Sequence, residues 1–252
     1  MIPTKLLYFD DTYKTAILCK VQGIGNDDKG NFLIFDQTIF YPGGGGQPKD
    51  VGFVKFQGNT YKIINAEMNN GFIKHFLDRK NVDISIGDTI ALSICRQTRI
   101  LHSIFHTAGH WVASAVTEGL KLPFLPLKGY HYPEGAYIEF EGDKTMIRDS
   151  ILENLQNVIN TDAQADLKIF SEIILPDERD KLEQYLNQIN LQSFLDKPVR
   201  IVRIGNYKSV PCGGTHIHSV REIKSIQVTK IFAKNGKIRI SYNCTPWEMP
   251  VS

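Results

Sequence analysis

The chain has 252 residues, of which 42% are hydrophobic and 22% are charged, and its formal net charge is +2. This composition is that of a globular protein with one large or two small domains, and it excludes collagen, coiled coil and a disordered chain. No apolar run reaches the roughly 18–20 residues that a membrane-spanning helix needs. The four cysteines form no CxxC pair and no disulfide framework, so we expect a cytoplasmic protein in a reducing compartment.

Residues 1–92 have the pattern of a β-rich N-terminal domain. Short apolar clusters separated by Gly, Asn and Asp are typical of strands joined by turns. The clusters are Thr15–Val21, Phe32–Phe35, Val51–Phe56 and Ile90–Cys95. Between two of them lie four glycines, Gly43–Gly46, whose backbone can adopt otherwise strained conformations and approach a ligand closely. No Gly-Lys-Ser/Thr follows them, which excludes a phosphate-binding P-loop.

The pattern changes near Arg96 to a mixture of helices and strands. From Thr98 to about Glu118, apolar residues recur at i, i+3, i+4 and i+7, which predicts a helix with one buried face. Two further amphipathic helices are predicted over residues 144–160 and 177–195. The predicted strands are Ala136–Glu141, Ile169–Leu175, Val199–Ile204, Ile223–Ala233 and Lys237–Tyr242, with Asn235-Gly236 as a two-residue hairpin turn.

These elements predict an α+β chain in two parts. We expect a small β-barrel-like N-terminal domain over residues 1–92, which carries the glycine-rich loop. Residues 93–252 then form an α/β two-layer domain with an antiparallel sheet.

Positive charge is concentrated near the C-terminal end of the sequence. Residues 197–239 contain ten basic side chains and one acidic side chain, a net charge of +9. The basic residues are Lys197, Arg200, Arg203, Lys208, Arg221, Lys224, Lys230, Lys234, Lys237 and Arg239. Such a segment indicates a polyanionic partner, most simply nucleic acid, although ordinary solvated strands can carry the same charge.

Five of the seven histidines lie in two short clusters. The predicted long helix carries His102, His106 and His110, each four residues apart. Side chains at i and i+4 share one helix face, so either 102/106 or 106/110 can bind one metal ion. Downstream, Cys212 and His216 have the same spacing, and the two glycines between them permit a tight approach.

Two imidazoles combined with a cysteine and a further histidine form a donor set suited to zinc. The helical zinc peptidase motif needs a glutamate directly after its first histidine. Thr107 occupies that position after His106, so the spacing argues against a peptidase. A helix without metal, whose histidines are coincidental, is the alternative.

The two clusters resemble the HxxxH and CxxxH motifs of the alanyl-tRNA synthetase editing domain and of its free-standing AlaX-type relatives. The matching segments are 106–110 and 212–216, His-Thr-Ala-Gly-His and Cys-Gly-Gly-Thr-His. The segment 38–48, Thr-Ile-Phe-Tyr-Pro-Gly-Gly-Gly-Gly-Gln-Pro, is similar to that family's glycine-rich loop. Departures are Gly43 in place of the usual glutamate, and the additional His102 and His218. The resemblance covers nearly the whole chain, and the three motifs occur in the family's order.

The resemblance implies a trans-editing hydrolase that cuts the ester of mischarged tRNA(Ala), carrying serine or glycine. It implies zinc held by His106, His110, Cys212 and His216, with a zinc-bound water as the nucleophile and no protein base assigned. Thr38 and Gln47 match the loop motif and are the expected substrate-binding residues.

For RNA binding we expect Lys230, Lys234 and Lys237 to contact tRNA phosphates. Two other functions remain open. One is a tRNA-binding module with structural zinc and no turnover, since four protein ligands normally define a structural site. The other is a zinc hydrolase of small esters or amides that ignores tRNA.

Overall fold

The computed structural model describes residues 1–79, 82–178, 180 and 197–247. The chain folds into two compact units. The first comprises Met1–Gly44 and Pro48–Ser103, and the second comprises Gly45–Gln47 and Ile104–Ser252. The domain division predicted between residues 92 and 93 stays a prediction.

The first unit is a closed barrel of six strands in which every neighbouring pair is antiparallel. In barrel order the strands are β2 (Ala16–Asp27), β3 (Gly30–Phe35), β7 (Phe72–Leu77), β6 (Asn59–Asn69), β5 (Gly52–Phe56) and β8 (Thr89–Ile94). Outside it, β1 (Lys5–Leu6) pairs in parallel with β4 (Gln37–Thr38), and a 3₁₀ turn spans Leu7–Phe9. The β-barrel-like N-terminal region predicted from sequence is confirmed.

Alternation along the strands fills the barrel interior. Leu33, Val54, Ile63, Ile73 and Leu92 have no exposed surface, and successive strand residues point to opposite faces. Burying such a side chain contributes about 1.5–3 kcal/mol to folding. The barrel core is therefore apolar, as the short clusters in the sequence predict.

Two barrel strands, β6 and β7, are absent from the sequence-based assignment. In β6 the exposed Lys62 separates the buried Tyr61 and Ile63, so the segment has no long apolar run. Asn70 and Gly71 join the two strands with φ of 47° and 83°. This Asn-Gly pair is the turn signal that would have identified the hairpin.

The second unit begins inside α1 (Arg96–Ser114), which continues as a π-helical turn, Ala115–Gly119. The predicted helix over 98–118 is confirmed. The other elements are β9 (Leu125–Tyr130), β10 (Tyr137–Glu141), α2 (Ser150–Gln164), β11 (Ile169–Ile174), β12 (Val199–Ile204), β13 (Val210–Pro211), β14 (Ile223–Lys234) and β15 (Lys237–Pro246), with 3₁₀ turns at Lys144–Met146 and Val220–Glu222.

Two antiparallel sheets form in this unit, with strand orders β14-β15-β10-β9 and β11-β12-β13. Helix α2 contacts β14 where the strand register shifts between Val228 and Lys230. There the Gln156 amide donates to the carbonyl of Ile226 and accepts from the N–H of Val228. The α+β class with antiparallel sheets is confirmed.

The predicted hairpin turn between β14 and β15 is also correct. Asn235 and Gly236 both have positive φ, 50° and 74°, as a two-residue turn of this type requires.

In this half, two elements differ from the sequence-based prediction, and one predicted helix falls on residues that are mostly not described. Strand β9 was missed because Pro126 and Gly129 disfavour a strand, and the structure places it at a sheet edge, where proline is tolerated. The helix expected over 144–160 begins later, at Ser150, because the preceding 3₁₀ turn is capped by Asp143 and ends before it. The helix expected over 177–195 lies almost entirely outside the described residues.

Among the helices in the described part of the chain, none is long and apolar enough to cross a membrane.

Candidate metal centre

Helix α1 supplies the first pair of donors. His106 and His110 lie one helical turn apart, and their Nε2 atoms are 3.2 Å from each other. Of the two pairings that the sequence left open, the structure therefore brings together 106/110. His102 belongs to the first unit and is not a member of the cluster.

A short loop after β13 supplies the second pair, and Arg200 holds its backbone. The Arg200 guanidinium, on buried β12, donates to the carbonyls of Cys212 and Gly214 at 3.0 and 2.9 Å. The N–H of Cys212 in turn donates to the carbonyl of Arg200 at 2.9 Å. Arg200 therefore orders the loop. The sequence predicts that the basic segment, which includes Arg200, contacts a polyanion.

The four donors converge. Cys212 Sγ lies 3.5 Å from His106 Nε2 and 3.2 Å from His216 Nε2. The ligand atoms of the four residues, His106, His110, Cys212 and His216, all lie within 4.8 Å of one another. This cluster can hold a metal ion. His218 is exposed and outside it, with its backbone N–H bonded to Glu222.

Neighbouring side chains fix the histidine rings. His106 Nδ1 donates to the Gln47 side-chain oxygen at 2.6 Å, and His216 Nδ1 lies 3.1 Å from the Thr107 hydroxyl. Gln47 also accepts from the N–H of Thr215 and donates to its hydroxyl, at 2.9 and 2.8 Å. Because His106 donates from Nδ1, its Nε2 keeps the lone pair for a metal ion. His216 has the same arrangement when its Nδ1 donates to Thr107, which is the usual arrangement of histidine ligands.

Burial sets the protonation of the cluster. It lowers the pKa of His110 to about 4 and lowers those of His106 and His216 well below the ordinary histidine value. The same burial raises the pKa of the Cys212 thiol to about 11. The imidazoles are therefore neutral at pH 7, as metal binding requires, whereas the thiol must lose its proton when a cation binds.

The glycine between the cysteine and histidine has a clear steric role. A Cβ at Gly214 would lie 2.1 Å from Cε1 of His106 and 2.8 Å from the Gln47 side-chain oxygen. Gly213 faces open space. The close approach predicted from the sequence therefore depends on Gly214 alone.

A cavity of about 770 Å³ borders the cluster, with His110 and His131 in its wall. Its lining includes the exposed leucines Leu125 and Leu127 together with Lys128 and Lys208. This space is large enough for a nucleoside-sized ligand.

His131 is the main residue that the sequence reasoning missed. Its ring is buried, and its centroid lies 4.8 Å from that of His106, with 32° between the ring planes. Its Nδ1 is 2.6 Å from the hydroxyl of Tyr242. His131 is far from both histidine clusters in sequence, and a single histidine before a Tyr-Pro turn carries no spacing signal. Thr107 and Thr215 lie inside the two motifs and Arg200 lies in the basic segment, but spacing does not indicate the contacts that they make.

The other predicted site residues lie elsewhere. Thr38 belongs to the first unit, where it is fully buried, donates to His75 Nε2 at 2.8 Å and accepts from the N–H of Phe40. Lys230 and Lys237 are exposed on β14 and β15. Lys234 ends β14, and its side chain lies outside the described part of the structure. The roles predicted for these four residues stay predictions.

Two family models match the chain. Residues 9–98 match the class II (A) tRNA synthetases, and residues 199–240 match the second additional domain of threonyl and alanyl tRNA synthetases. The first match contains the glycine-rich loop, and the second contains Cys212 and His216.

Three curated relatives align over almost the whole chain. An alanine–tRNA ligase of Sulfurisphaera tokodaii is 30% identical over 95% of this chain and 26% of its own length. The alanyl-tRNA editing protein AlaX-L of Pyrococcus horikoshii is 32% identical over 94% of this chain and 57% of its own length. AlaX-M of Methanosarcina barkeri is 29% identical over 95% of this chain and 98% of its own length.

The chain thus spans about a quarter and somewhat over half of the first two relatives, and nearly all of the third. The glycine-rich loop, the HxxxH helix and the CxxxH loop occur in one continuous alignment, and four of their side chains meet at one point in the second unit. Together, the two family models and these relatives support an AlaX-type alanyl-tRNA editing protein.

Proposed function

We propose that this chain is a trans-editing hydrolase that cuts the aminoacyl ester of mischarged tRNA(Ala), with serine and glycine as the amino acids removed. The observation that carries the proposal is the convergence of His106, His110, Cys212 and His216 beside a nucleoside-sized cavity. Relatives named as alanyl-tRNA editing proteins support the choice of substrate.

Zinc fits the donor set. Three imidazole nitrogens and one thiolate are typical zinc ligands. In a tetrahedral site with bonds of about 2.0–2.3 Å, the ligand atoms lie about 3.3–3.6 Å apart. Three of the six separations, 3.2, 3.2 and 3.5 Å, are close to these values, and all six are within 4.8 Å. A bound zinc ion supplies Lewis-acid chemistry, by polarising an ester carbonyl and acidifying water at neutral pH.

The chain's own residues then have separable tasks. Gln47 holds the His106 ring in the orientation that leaves Nε2 free, and Thr107 positions the His216 ring through its Nδ1. The apolar side chains that line the cavity offer a packing surface to the terminal nucleoside. No carboxylate among the described residues belongs to the donor cluster, so no protein base is assigned. Lys230, Lys234 and Lys237 are proposed to bind tRNA phosphates.

The test is deacylation of purified Ser-tRNA(Ala), Gly-tRNA(Ala) and Ala-tRNA(Ala) by the intact chain, before and after removal of metal by a chelator. We expect hydrolysis of the first two, sparing of Ala-tRNA(Ala), loss of activity with the chelator and recovery on adding zinc. The matched variants are Cys212→Ala, which should be inactive, and His218→Ala, which should be active.

Other outcomes point to the alternatives. Binding of tRNA without hydrolysis of any ester would indicate a binding module with structural zinc. Four protein donors are typical of structural zinc sites. Equal activity on free aminoacyl esters and on aminoacyl-tRNA would indicate a hydrolase of small esters. Either result would contradict the proposed function.

A further inference from the structure

His131 lies where the metal centre meets the cavity, and its tautomer is fixed by its neighbours. The hydroxyl of Tyr242 donates to the carbonyl of Phe105 at 2.8 Å. That hydroxyl has one hydrogen, so toward His131 Nδ1, 2.6 Å away, it must act as an acceptor. His131 therefore carries its proton on Nδ1, and Nε2 presents a lone pair.

The other ring nitrogen, Nε2, has no hydrogen-bond partner among the described residues. Within the part of the chain that the structure describes, His131 makes one side-chain hydrogen bond, the one from Nδ1 to Tyr242. The side chain is only 4% exposed and lines the cavity. Nε2 is not among the unpartnered side-chain atoms that are sealed from solvent in the described residues, so water or a ligand in the cavity can donate to its lone pair.

Glycines from three segments reserve the space for this ring. A Cβ at Gly109 would lie 2.2 Å from Cε1 of His131, and one at Gly129 would lie 2.1 Å from Nε2. A Cβ at Gly46, in the glycine-rich loop, would lie 3.0 Å from Cδ2. The N–H of His131 also donates to the carbonyl of Gly46 at 2.9 Å. The ring is thus held by α1, β9 and the loop together.

The donors of an aminoacyl ester are few. Its carbonyl and ester oxygens are acceptors and cannot pair with a lone pair. The α-ammonium group is a donor without acceptor capacity, it is present on every aminoacyl ester, and it lies one carbon from the bond that is cut. A hydrogen bond from this cation to a neutral imidazole is charge-assisted and therefore stronger than a neutral pair.

We propose that His131 is a substrate-binding residue whose Nε2 accepts a hydrogen bond from the α-ammonium group of the aminoacyl ester. The assignment rests on the proposed function, and it adds the contact that orients the ester beside the cluster. It predicts that the residue serves seryl and glycyl substrates alike, because both carry the same ammonium group.

Two substitutions separate the functions of the two ring nitrogens. In His131→Asn an amide N–H can replace Nδ1–H toward Tyr242, but no acceptor remains at the position of Nε2. In His131→Gln the side-chain oxygen can reach the position of Nε2. We expect His131→Asn to lower kcat/KM for Ser-tRNA and Gly-tRNA by a similar factor of about 10–100, with metal content and melting temperature unchanged, and His131→Gln to recover part of the loss.

Wild-type rates in His131→Asn would overturn the assignment, because they would show that hydrolysis does not need Nε2. A loss confined to Ser-tRNA would also overturn it, because the partner of Nε2 would then be the seryl hydroxyl. Absence of deacylation by the wild-type chain would instead contradict the proposed function. These two failures are therefore distinguishable.

A measurement on the unsubstituted protein covers the case in which His131→Asn does not fold. The protein is labelled with ¹⁵N-histidine and titrated with two adenosine analogues that carry a stable 3′-amide, one glycylated and one acetylated. We expect the Nδ1–H tautomer at His131, and a shift of the Nε2 resonance with the glycyl analogue alone. An equal shift with both analogues, or none with either, would exclude the ammonium contact.

Discussion

The two units both bury histidine, and they use it in different ways. In the barrel unit, both nitrogens of His75 have protein partners: Nδ1 lies 3.3 Å from the carbonyl of Leu33, and Nε2 accepts from Thr38. Burial lowers the pKa of His75 to about 3. In the second unit, His106 and His216 each use Nδ1 for a protein contact and turn Nε2 toward a common point.

This difference separates a histidine whose two nitrogens both have protein partners from histidines that can bind a ligand. A neutral ring with two protein partners has no capacity left, so His75 stabilises the barrel. A ring with one partner keeps a lone pair that water, metal or substrate must satisfy. Counting partners for each ring nitrogen is therefore more informative than burial, because all these rings are buried.

The largest effect that tests this comparison is loss of the metal. Cys212→Ala or His106→Ala removes one of four converging donors, and we expect most of the bound zinc to be lost after dialysis, measured by elemental analysis of the purified chain. His102→Ala and His218→Ala are the matched controls and should retain about one ion per chain, since neither residue joins the cluster. Stoichiometric zinc in Cys212→Ala would contradict the view that the cluster histidines bind a metal and His75 does not.

The next effect concerns Gln47, predicted from the loop motif to bind substrate. Its side chain is buried and bonded to His106 and Thr215. Gln47→Leu keeps the size and removes these bonds, so we expect a 10–100-fold loss of metal affinity in competition with a chelating dye. Gln47→Glu keeps an acceptor for His106 and should lose less. Unchanged zinc affinity together with a raised KM would favour direct substrate contact instead.

The sequence predicts those parts of the fold and of the candidate site that depend on local patterns. The barrel class, helix α1 and the β14–β15 hairpin follow from local periodicity and from Asn235-Gly236. All four residues of the metal cluster follow from two i, i+4 spacings and the family resemblance. What the spacing could not decide was whether His102 or His110 pairs with His106.

The parts that were missed are those set by tertiary contacts. Strand β9 contains Pro126, and only its edge position in the sheet makes it a strand. His131 lies beside the cluster because three glycines from different segments leave room for its ring. Arg200 looked like part of a basic surface, yet it bonds the carbonyls of the cysteine loop. None of these pairings has a fixed sequence separation, so no pattern could indicate them.

A smaller effect is expected at Thr38, the residue predicted to read the serine hydroxyl. In Thr38→Val the His75 Nε2 acceptor and the Phe40 N–H lose their partner, so we expect the free energy of unfolding to fall by about 1–3 kcal/mol in urea titrations. If the hydroxyl also reads serine, Ser-tRNA hydrolysis falls by about 10–100-fold and Gly-tRNA hydrolysis falls less.

Thr38→Ser is the control, because it keeps the hydroxyl and should keep the selectivity. Zinc content should be unchanged in both variants. Equal losses of Ser-tRNA and Gly-tRNA hydrolysis in Thr38→Val would mean that Thr38 only stabilises the barrel, as His75 does. This outcome would also sharpen the contrast with His131, for which equal losses are the expected result.

The smallest expected effect is electrostatic and concerns the β14–β15 hairpin. Lys230 is exposed, with its ammonium 4.6 Å from the centre of the Phe232 ring. Lys237 is exposed and lies 3.9 Å from a carboxylate oxygen of Glu139. That carboxylate is also bonded to Arg239 at 2.6 Å.

Each phosphate contact changes the slope of log K against log salt by roughly 0.7–0.9. Replacing Lys230, Lys234 and Lys237 with alanine should therefore reduce the slope for tRNA by up to about 2–3 units if all three contact phosphates, with kcat on saturating substrate almost unchanged. Because Glu139 already neutralises part of the charge at Lys237, Lys237→Ala alone should change the slope less than Lys230→Ala.

The matched control replaces three exposed lysines of the barrel unit, Lys20, Lys55 and Lys62. It removes the same charge from the chain and therefore tests whether position matters as well as net charge. Filter binding of tRNA between about 50 and 200 mM salt, the range over which phosphate contacts dominate the dependence, gives both slopes. An equal decrease in the two triple variants would mean that only the overall charge matters. A decrease confined to the hairpin variant would locate the RNA-binding surface on the second unit. That unit also contains the histidines that keep a lone pair for a ligand.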